Sequence, residues 1–417
     1  MTAGRDRLLA ALDVGSTKVS CFVARVGDDN IVRVSGIGHR VNSGVRDGTV
    51  VDIQATETAI RAAVDQAERM AGETVEDVVV SVTSGEPRSH IVEMDVSIDG
   101  HQVEPADVEL VLSQARARID PGERVVLHAF PACFAIDGSF GVREPVGMYG
   151  DRLSVAMHVV TASPGPIRNL EACVHRAHLN VAGFVLSPYA SGLSALVDDE
   201  MALGAACVDI GGGATTVSVF VQNAMIHADI VPVGGHHVTQ DIARGLLTPV
   251  DHAERLKTLY GSAIQSPADD RETIDVPHVG ESDVDEDGYS SIPRSMLTGI
   301  IQPRVEEIFE LVRDRLSASG FSGQAGRRVV LTGGAAQLPG CRELAQRVLD
   351  KQIRIGRPRR VFGLADATAG PAFSTCAGLL LHSVAAPREL GRLEAQLGAG
   401  LPANRIARVG QWLRDNF

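Results

Sequence analysis

The sequence predicts an α/β protein made of two like halves that grip a nucleotide in the cleft between them. The first observation is the run Cys207-Val208-Asp209-Ile210 leading into Gly211-Gly212-Gly213 and then Ala214-Thr215-Thr216. With the apolar stretch 217–221 behind it, this reads as strand, tight turn, strand. Consecutive glycines let backbone N–H groups turn toward an anion without side-chain hindrance, and phosphate is the usual guest. Asp209, closing the first strand, suits a hydrated metal ion beside that phosphate. An ordinary glycine-rich hairpin would look the same if it stood alone. It does not stand alone. The second observation is that Ala11-Leu12-Asp13-Val14-Gly15-Ser16-Thr17-Lys18-Val19 repeats the plan about half a chain earlier, and such a repeat marks duplicated halves. The third is Val329-Val330-Leu331-Thr332-Gly333-Gly334-Ala335-Ala336-Gln337-Leu338-Pro339-Gly340. A buried β-branched strand ends there at a glycine pair that lets backbone approach a flat ligand, and a helix begins near Gly340.

Composition narrows the class. At 417 residues, 44% hydrophobic and 22% charged, the chain suits two or more soluble domains with sizeable cores. Aromatics at 4% offer no stacking platform for nucleic acid, and a net charge of −13 argues further against that partner. The 6 cysteines are scattered, mostly in apolar runs, and read as small buried residues of a reducing compartment. The 13 histidines include His236-His237 but form no metal-ligand spacing, so no structural metal is expected. The apolar run before Asp13 is too short for a signal peptide, and no segment approaches the ~18 apolar residues that span a bilayer. A cytoplasmic protein is expected, unless its tail binds a membrane.

Taken in order, apolar runs at 8–24, 31–40 and 50–53, with turn signals at Gly27-Asp28-Asp29-Asn30 and Arg46-Asp47-Gly48, predict a three-stranded antiparallel meander. Ala59, Ala63 and Ala67, with Ile60 and Val64 beside them, give a helix at 55–70 one apolar face. A fully apolar strand at 78–82 completes the start of an α/β layer. From 84 to about 150 the character shifts. Strands are expected at 88–98, 125–135 and 152–161, a helix at 105–119 with Val108, Val111, Leu112 and Ala115 inward, and a loop at 138–150. This is a compact inserted subdomain. A helix at 169–177 and a strand at 180–186 follow. Small residues Ala190, Ser191, Gly192 and Ser194 then suit a helix packed closely where two halves meet, although an ordinary buried helix would read alike.

The second half repeats the meander at 205–208, 217–221 and 225–232, and Gly234-Gly235 opens a helix at 239–245. An insertion at 245–303 holds a helix at 250–260 and an acid-rich stretch, 268–287, expected as a solvated hairpin or mobile loop. A long helix at 295–319 carries Ile300, Ile301, Ile308, Leu311, Val312 and Leu316 on its apolar face, and a second small-residue helix opens at Pro371. Pro387 to Pro402, with Gly391, Gly398 and Gly400, reads as a tether. In the tail, Ile406, Val409, Leu413 and Phe417 share a helical face flanked by Trp412, with Arg408 and Arg414 away from it. Arg405 adds a further cation, and only Asp415 offsets the three. At ~1.5 Å per residue this helix is too short to cross a bilayer but can lie in the interface of an anionic membrane. Docking on the body is the alternative.

Together these elements resemble the actin/Hsp70/hexokinase ATPase superfamily, an actin-like ATPase fold of two duplicated α/β domains around a nucleotide cleft. Asp13 to Lys18 is similar to its first phosphate motif, 209–216 to its second and 329–340 to its adenosine motif; the helices after Pro188 and Pro371 are similar to its connecting helices. Gly44 to Thr56 leaves no room for the subdomain that actin and its rod-shape homologues carry there. An insertion after 78–82 is instead the mark of the FtsA family of bacterial cell-division proteins and of a relative in type IV pilus assembly. Ala253-Glu254-Arg255-Leu256-Lys257, Gln302-Pro303-Arg304 and Leu331–Ala336 are matching stretches, and the tail helix favours the FtsA family over the pilus relative.

The resemblance implies a first actin-like subdomain at 1–83 and 161–195, with an FtsA-type inserted subdomain at 84–160. It implies a second at 196–244 and 304–385, with its own insertion at 245–303, then a linker at 386–403 and a membrane-targeting helix at 404–417. ATP would be held by Gly15, Ser16, Thr17 and Lys18 from one hairpin and by Gly211, Gly212, Gly213 and Thr215 from the other. Asp13 and Asp209 would serve Mg2+ through water, and Gly333, Gly334, Ala335 and Leu338 would lie at the nucleoside with Glu254 and Lys257. Arg294 and Arg304 match positions at or near the surface that takes the C-terminal peptide of the tubulin-like protein FtsZ, although local ion pairing would explain them equally. Arg405, Ile406, Arg408, Val409, Trp412, Leu413, Arg414 and Phe417 would meet the membrane. The implied protein polymerises on the cytoplasmic face of the cell membrane at the septum, tethers the FtsZ ring and recruits later division proteins. No residue is identifiable as a catalytic base, so an assembly protein with at most weak ATPase activity is expected. A small-molecule kinase of the superfamily would need an acid to take a hydroxyl proton, and none stands out. An Hsp70-type chaperone would need a peptide-binding domain for which no chain is left.

Overall fold

The computed structural model describes residues 7–277, 289–321, 323 and 326–396, with backbone alone at 289 and 386–396. The chain opens with β1 (Arg7–Val14) and β2 (Lys18–Val26), an antiparallel hairpin, followed by β3 (Val32–Val41). A miniature hairpin, β4 (Val45–Arg46) and β5 (Thr49–Val50), leads to α1 (Ile53–Ala71). Asp52 starts α1 by accepting from Ala55 N, and Gly72 ends it in the left-handed region at φ 70°. Next comes β6 (Asp77–Val82). The third strand of the meander is therefore β3; the expected strand at 50–53 is the end of a tight hairpin and the cap of α1, because Asp52 competes for backbone N–H groups.

The inserted segment holds β7 (Arg88–Ser97), α2 (Pro105–Ala117), β8 (Val125–Ile136), β9 (Ser139–Val142) and β10 (Arg152–Ala162). Its sheet runs β7-β10-β8-β9, and α2 buries Val108, Val111 and Leu112 against Leu153, Val155 and Met157. The stretch expected as loop contains β9, since the turn at Asp137-Gly138 folds the chain straight back onto β8. The first lobe then resumes with α3 (Pro164–Arg176), which Pro164 starts earlier than expected, β11 (Asn180–Leu186) and α4 (Ser187–Ala195).

A short α5 (Asp198–Leu203), not anticipated, precedes the second meander: β12 (Ala205–Ile210), β13 (Thr215–Val221) and β14 (Ala224–Val231). Next come α6 (Gly235–Gly245), α7 (Val250–Tyr260), β15 (Thr273–Pro277), β16 (Tyr289–Pro293), α8 (Arg294–Ala318), β17 (Arg328–Thr332), α9 (Cys341–Leu349), β18 (Gln352–Ile355), β19 (Val361–Phe362) and α10 (Ser374–Gln396). The acid-rich stretch is flanked by the antiparallel pair β15 and β16; residues 278–288 lie outside the described part. The expected boundary at 303/304 falls inside α8, whose buried face runs through Leu297, Ile301, Val305, Ile308, Val312 and Leu316 across Pro303.

The duplication is visible strand for strand. The first sheet runs β11-β6-β1-β2-β3-β19 and the second β18-β17-β12-β13-β14. In both, an antiparallel meander is extended by two parallel strands. Helices α4 and α10 cross between the sheets, and the first core runs from β1 through both helices to Phe220, Met225 and Ala228 of the second lobe. The first part of the expected tether is helix instead: α10 continues through Pro387 to Gln396, carried by the helix formers Arg388, Glu389, Leu390, Arg392, Leu393, Glu394 and Ala395, and residues 397–403 lie outside the described part. The tail helix at 404–417, with its membrane residues, lies outside the described residues, among which no helix is long and apolar enough to cross a membrane.

Candidate functional site

Each meander ends its first strand in an acid and turns on glycine. Gly15 N donates to Lys18 O at 3.0 Å and Gly211 N to Ala214 O at 2.9 Å, so the two turns are closed by the same bond. The hairpin tips meet across one cavity. A Cβ on Gly212 would lie 2.3 Å from Thr17 Cγ2, and one on Gly213 would lie 2.4 Å from Ser16 Oγ and 2.9 Å from Asp47 N, so a larger residue at either place must displace the facing hairpin's side chains. The N-terminus of α6 is tied to the second turn, with Gly235 N donating to Gly211 O at 2.9 Å and His236 N to Gly212 O at 2.7 Å.

Asp13, Gly15, Ser16, Thr17, Lys18, Asp209, Gly211, Gly212, Gly213, Gly333 and Gly334 all line this cavity, as the repeat predicts. Ser81 Oγ, one strand over on β6, donates to Asp13 Oδ1 at 2.6 Å. Asp209 Oδ2 accepts from Ser191 Oγ on α4 and from Thr375 Oγ1 on α10, the latter at 3.0 Å. Burial pushes the Asp13 carboxyl up to about 6, with the charge of Asp209 adding to the rise and Ser81 and Lys18 opposing it. Asp209 is raised for the same first reason, against hydrogen bonds from Ser191 and Thr375. Burial also lowers Lys18, whose Nζ stands 3.4 Å over the Phe373 ring. Two carboxylates that repel each other in a desolvated pocket are relieved by a cation between them.

Thr216 Oγ1 supplies a second pointer to a ligand: it is buried, its residue lines the cavity, and it has no hydrogen-bond partner among the described residues. Here the structure corrects the expectation for Thr215, whose hydroxyl donates to Val233 O at 2.7 Å on the far side of β13. Successive strand residues face opposite ways, and Asp209 pairs with Thr216, so Thr216 shares the acid's face. Among the described residues no group of three or more His, Cys, Asp or Glu could hold a metal ion. The two carboxylates and the Thr216 hydroxyl that face the cavity could hold a hard cation whose remaining ligands are water and phosphate oxygens.

The other expected ligands stand apart from this cavity. Ala335 packs on Gly235, where an added Cβ would come within 2.8 Å of its own, and Leu338 lines a separate hollow with Gly340, Arg342 and Arg357. Lys257 Nζ donates to Gly235 O at 3.0 Å, Thr239 Oγ1 at 2.8 Å and Glu254 Oε2 at 2.7 Å, so Glu254 and Lys257 clamp α7 onto α6 beside the glycine turn. Arg294 and Arg304 are both engaged within the second lobe. Arg294 donates to Tyr260 O at 2.8 Å and to Glu272 at 2.7 Å, and Arg304 makes a two-pronged contact with Asp241 at 2.6 and 3.2 Å. The donors Ser81, Ser191 and Thr375 went unpredicted; the cross-strand register of Ser81 with Asp13 could have shown the first.

The sequence model of cell division protein FtsA matches residues 206–378, and that of the SHS2 domain inserted in FtsA matches residues 84–161. The chain is 46% identical to cell division protein FtsA of Rhizobium meliloti, over 99% of this chain and 96% of that protein. The chain belongs to the FtsA family of cell-division proteins. It is 36% identical to the FtsA of Pseudomonas aeruginosa, over 99% of this chain and 98% of that protein, and 33% identical to that of Escherichia coli, over 100% of both. Family membership places it in cell division rather than in sugar phosphorylation. The fold is actin-like. The PilM-PilN type IV pilus biogenesis complex superposes with a TM-score of 0.62 at 16% identity, covering 90% of this chain and 98% of that one. MreB5 of Spiroplasma citri bound to ADP superposes with a TM-score of 0.54 at 14% identity, covering 92% and 98%. At such identities the pilus protein shares the fold, and the FtsA relatives carry the family.

Proposed function

We propose that this FtsA-family chain binds ATP with Mg2+ in its cleft, polymerises on the cytoplasmic face of the membrane at the septum, and anchors the FtsZ ring there while recruiting later division proteins. The observation that carries the nucleotide part is the pair of twin hairpins, each presenting a desolvated acid to one cavity beside the unpartnered Thr216 hydroxyl. Asp13 and Asp209 would hold the cation through water, and the glycine turns would take the phosphates. Mg2+, when bound, supplies charge compensation for those phosphates. The chain's own residues do the rest: Ser81, Ser191 and Thr375 orient the two carboxylates. Nucleotide would act chiefly by setting cleft closure and hence polymer state, with hydrolysis slow.

The membrane reading rests on Ile406, Val409, Leu413 and Phe417 sharing one face beside Arg405, Arg408 and Arg414. One such helix is a weak anchor, and polymerisation multiplies it. Co-sedimentation with anionic liposomes is expected to capture the full chain and to lose it when residues 404–417 are removed. Unchanged binding of the truncated chain would sink the anchor role. For FtsZ, Arg294 and Arg304 would brace the docking surface rather than reach the peptide, leaving the exposed Leu259, Tyr260 and Met296 as the contacts. Met296→Asp is expected to weaken binding of the FtsZ C-terminal peptide about tenfold. Arg304→Met, which strands Asp241, is expected to cost about 1–3 kcal/mol of stability and leave peptide affinity near normal. A peptide affinity that follows Arg304 instead of Met296, read by titration calorimetry, would reverse these roles.

A further inference from the structure

The inserted sheet leaves the first lobe at Val82 and returns to it at Ala162, yet it rests on both lobes. On the first lobe it is bolted down. Arg124 donates to Ser163 Oγ at 3.3 Å, Ser163 N donates to Gly85 O at 2.7 Å, and Leu186 N, just before α4, donates to His128 Nε2 at 2.8 Å. On the second lobe it leans against β14, the outermost strand of that sheet. Ala228 N on β14 donates to Ser89 Oγ of the insert at 3.3 Å, and Ser89 Oγ also bonds His158 Nε2. A free sheet edge exposes N–H groups that need a partner, and here a side chain from another body supplies one.

This seam is incompletely satisfied. Among the described residues, His158 Nδ1 on the insert and His227 Nε2 on β14 are both buried without a hydrogen-bond partner. Burial, with His227 and His90 nearby, drives His158 down to about 3, and burial lowers His227 as well, so both rings are neutral where they lie. A neutral imidazole offers one donor and one acceptor, and nearly all buried polar atoms of a permanent core are paired. Neither ring nitrogen would lose a hydrogen bond if the insert and β14 parted, so little beyond the Ser89 bond holds these polar groups together. The geometry says when the seam opens. The insert is fixed to the first lobe at Leu186 and Ser163, whereas β14 belongs to the second, so a rotation of the lobes about α4 and α10 must slide β14 past Ser89.

We infer that the insert is a strut whose Ser89–Ala228 seam is made in the closed cleft and broken in the open one, so that the cleft and the insert's position report on each other. The inference rests on the reading of the cleft as a nucleotide site, because nucleotide is the ligand whose exchange requires the opening.

The test is a reversible lock, Ser89→Cys with Ala228→Cys, in the full chain. A fluorescent ATP analogue is bound in the reduced state and its release is timed under excess ATP, before and after oxidation. Release is expected to slow about tenfold in the locked protein and to return on reduction, while the Ala228→Cys variant alone, which keeps the backbone donor, behaves as wild type under oxidant. Equal release rates in locked and reduced protein would overturn the strut, and so would a pair that fails to close under oxidant. If the reduced protein binds no analogue, the nucleotide reading itself fails. The seam is then judged by hydrogen exchange at the Ala228 amide alone. Exchange faster than global unfolding shows the seam opening by itself, and exchange at the global rate shows a fixed core contact and overturns the inference.

Discussion

Asp13→Asn is expected to stabilise the ligand-free chain and to weaken its nucleotide complex, two effects of opposite sign from one oxygen. The Asp13 carboxyl lies at about 6 against an ordinary 3.8, chiefly because the pocket desolvates it. A folded chain that holds this proton more tightly than the unfolded one is favoured below pH 3.8. It loses that advantage as pH rises through about 6. Above pH 6 the buried charge is a standing cost of about 2 kcal/mol, after discounting for the side of the carboxyl open to the cavity. Asparagine removes the charge and still accepts from Ser81 Oγ. Denaturant unfolding at pH 7.5 should therefore find the variant more stable by about that amount, with the gap closing below pH 4.

Binding runs the other way. The cation needs Asp13 ionised, so the affinity for ATP with Mg2+ should fall as pH drops through about 6 in the wild type. Above pH 6 it should be about 30- to 100-fold weaker in the variant, the cost of losing one charged partner at about 2–3 kcal/mol, and the difference should close as the wild-type carboxyl protonates at lower pH. A variant less stable than wild type at pH 7.5 would mean the pocket does not burden Asp13. A variant of normal stability gain and normal affinity would remove Asp13 from the cation site. The two failures are distinguishable.

The twin acids were legible because an apolar strand, an acid and a glycine turn are local facts, and their repetition made the duplicated fold legible too. What surrounds the acids was not. Ser81, Ser191 and Thr375 reach Asp13 and Asp209 from other strands and helices, so their role exists only after the sheets are assembled. The choice between Thr215 and Thr216 turns on strand parity, which a shift of one residue in the hairpin reverses. Arg294 and Arg304 look available in a sequence because an arginine's partners, here Glu272 and Asp241, lie 22 and 63 residues away. The opposite error occurred at Pro387, where a local signal for a break was overruled by the helix formers beyond it. Local geometry is legible where the backbone itself makes it, as in the turns, and hidden where it depends on which side chain arrives from elsewhere.

Gly378→Ala is expected to be among the most damaging single methyl groups that can be added to the molecule. Gly378 lies where α10 crosses α4, and a Cβ there would stand 1.8 Å from Ala190 O and 2.3 Å from Ala190 C. The obstacle is backbone, so no rotamer can yield and the helices must part. Parting them breaks the bonds that join them, Ser194 Oγ to Ser374 O at 2.6 Å and Ser191 Oγ to Thr375 Oγ1 at 2.9 Å. It also withdraws two hydroxyls from Asp209 at once, leaving that acid buried and unsupported. Overpacking at about 1–3 kcal/mol and lost bonds at about 1 kcal/mol each give a destabilisation of about 4 kcal/mol or more, against which the better helix propensity of alanine returns less than about 1 kcal/mol. Gly299, within α8, is the control, since an added Cβ meets only Gln265 Nε2 at 3.8 Å. Gly299→Ala should stabilise by about 0.5–1 kcal/mol. Thermal unfolding of the two variants should move in opposite directions; a Gly378→Ala protein as stable as wild type would mean that α4 and α10 do not cross at this contact.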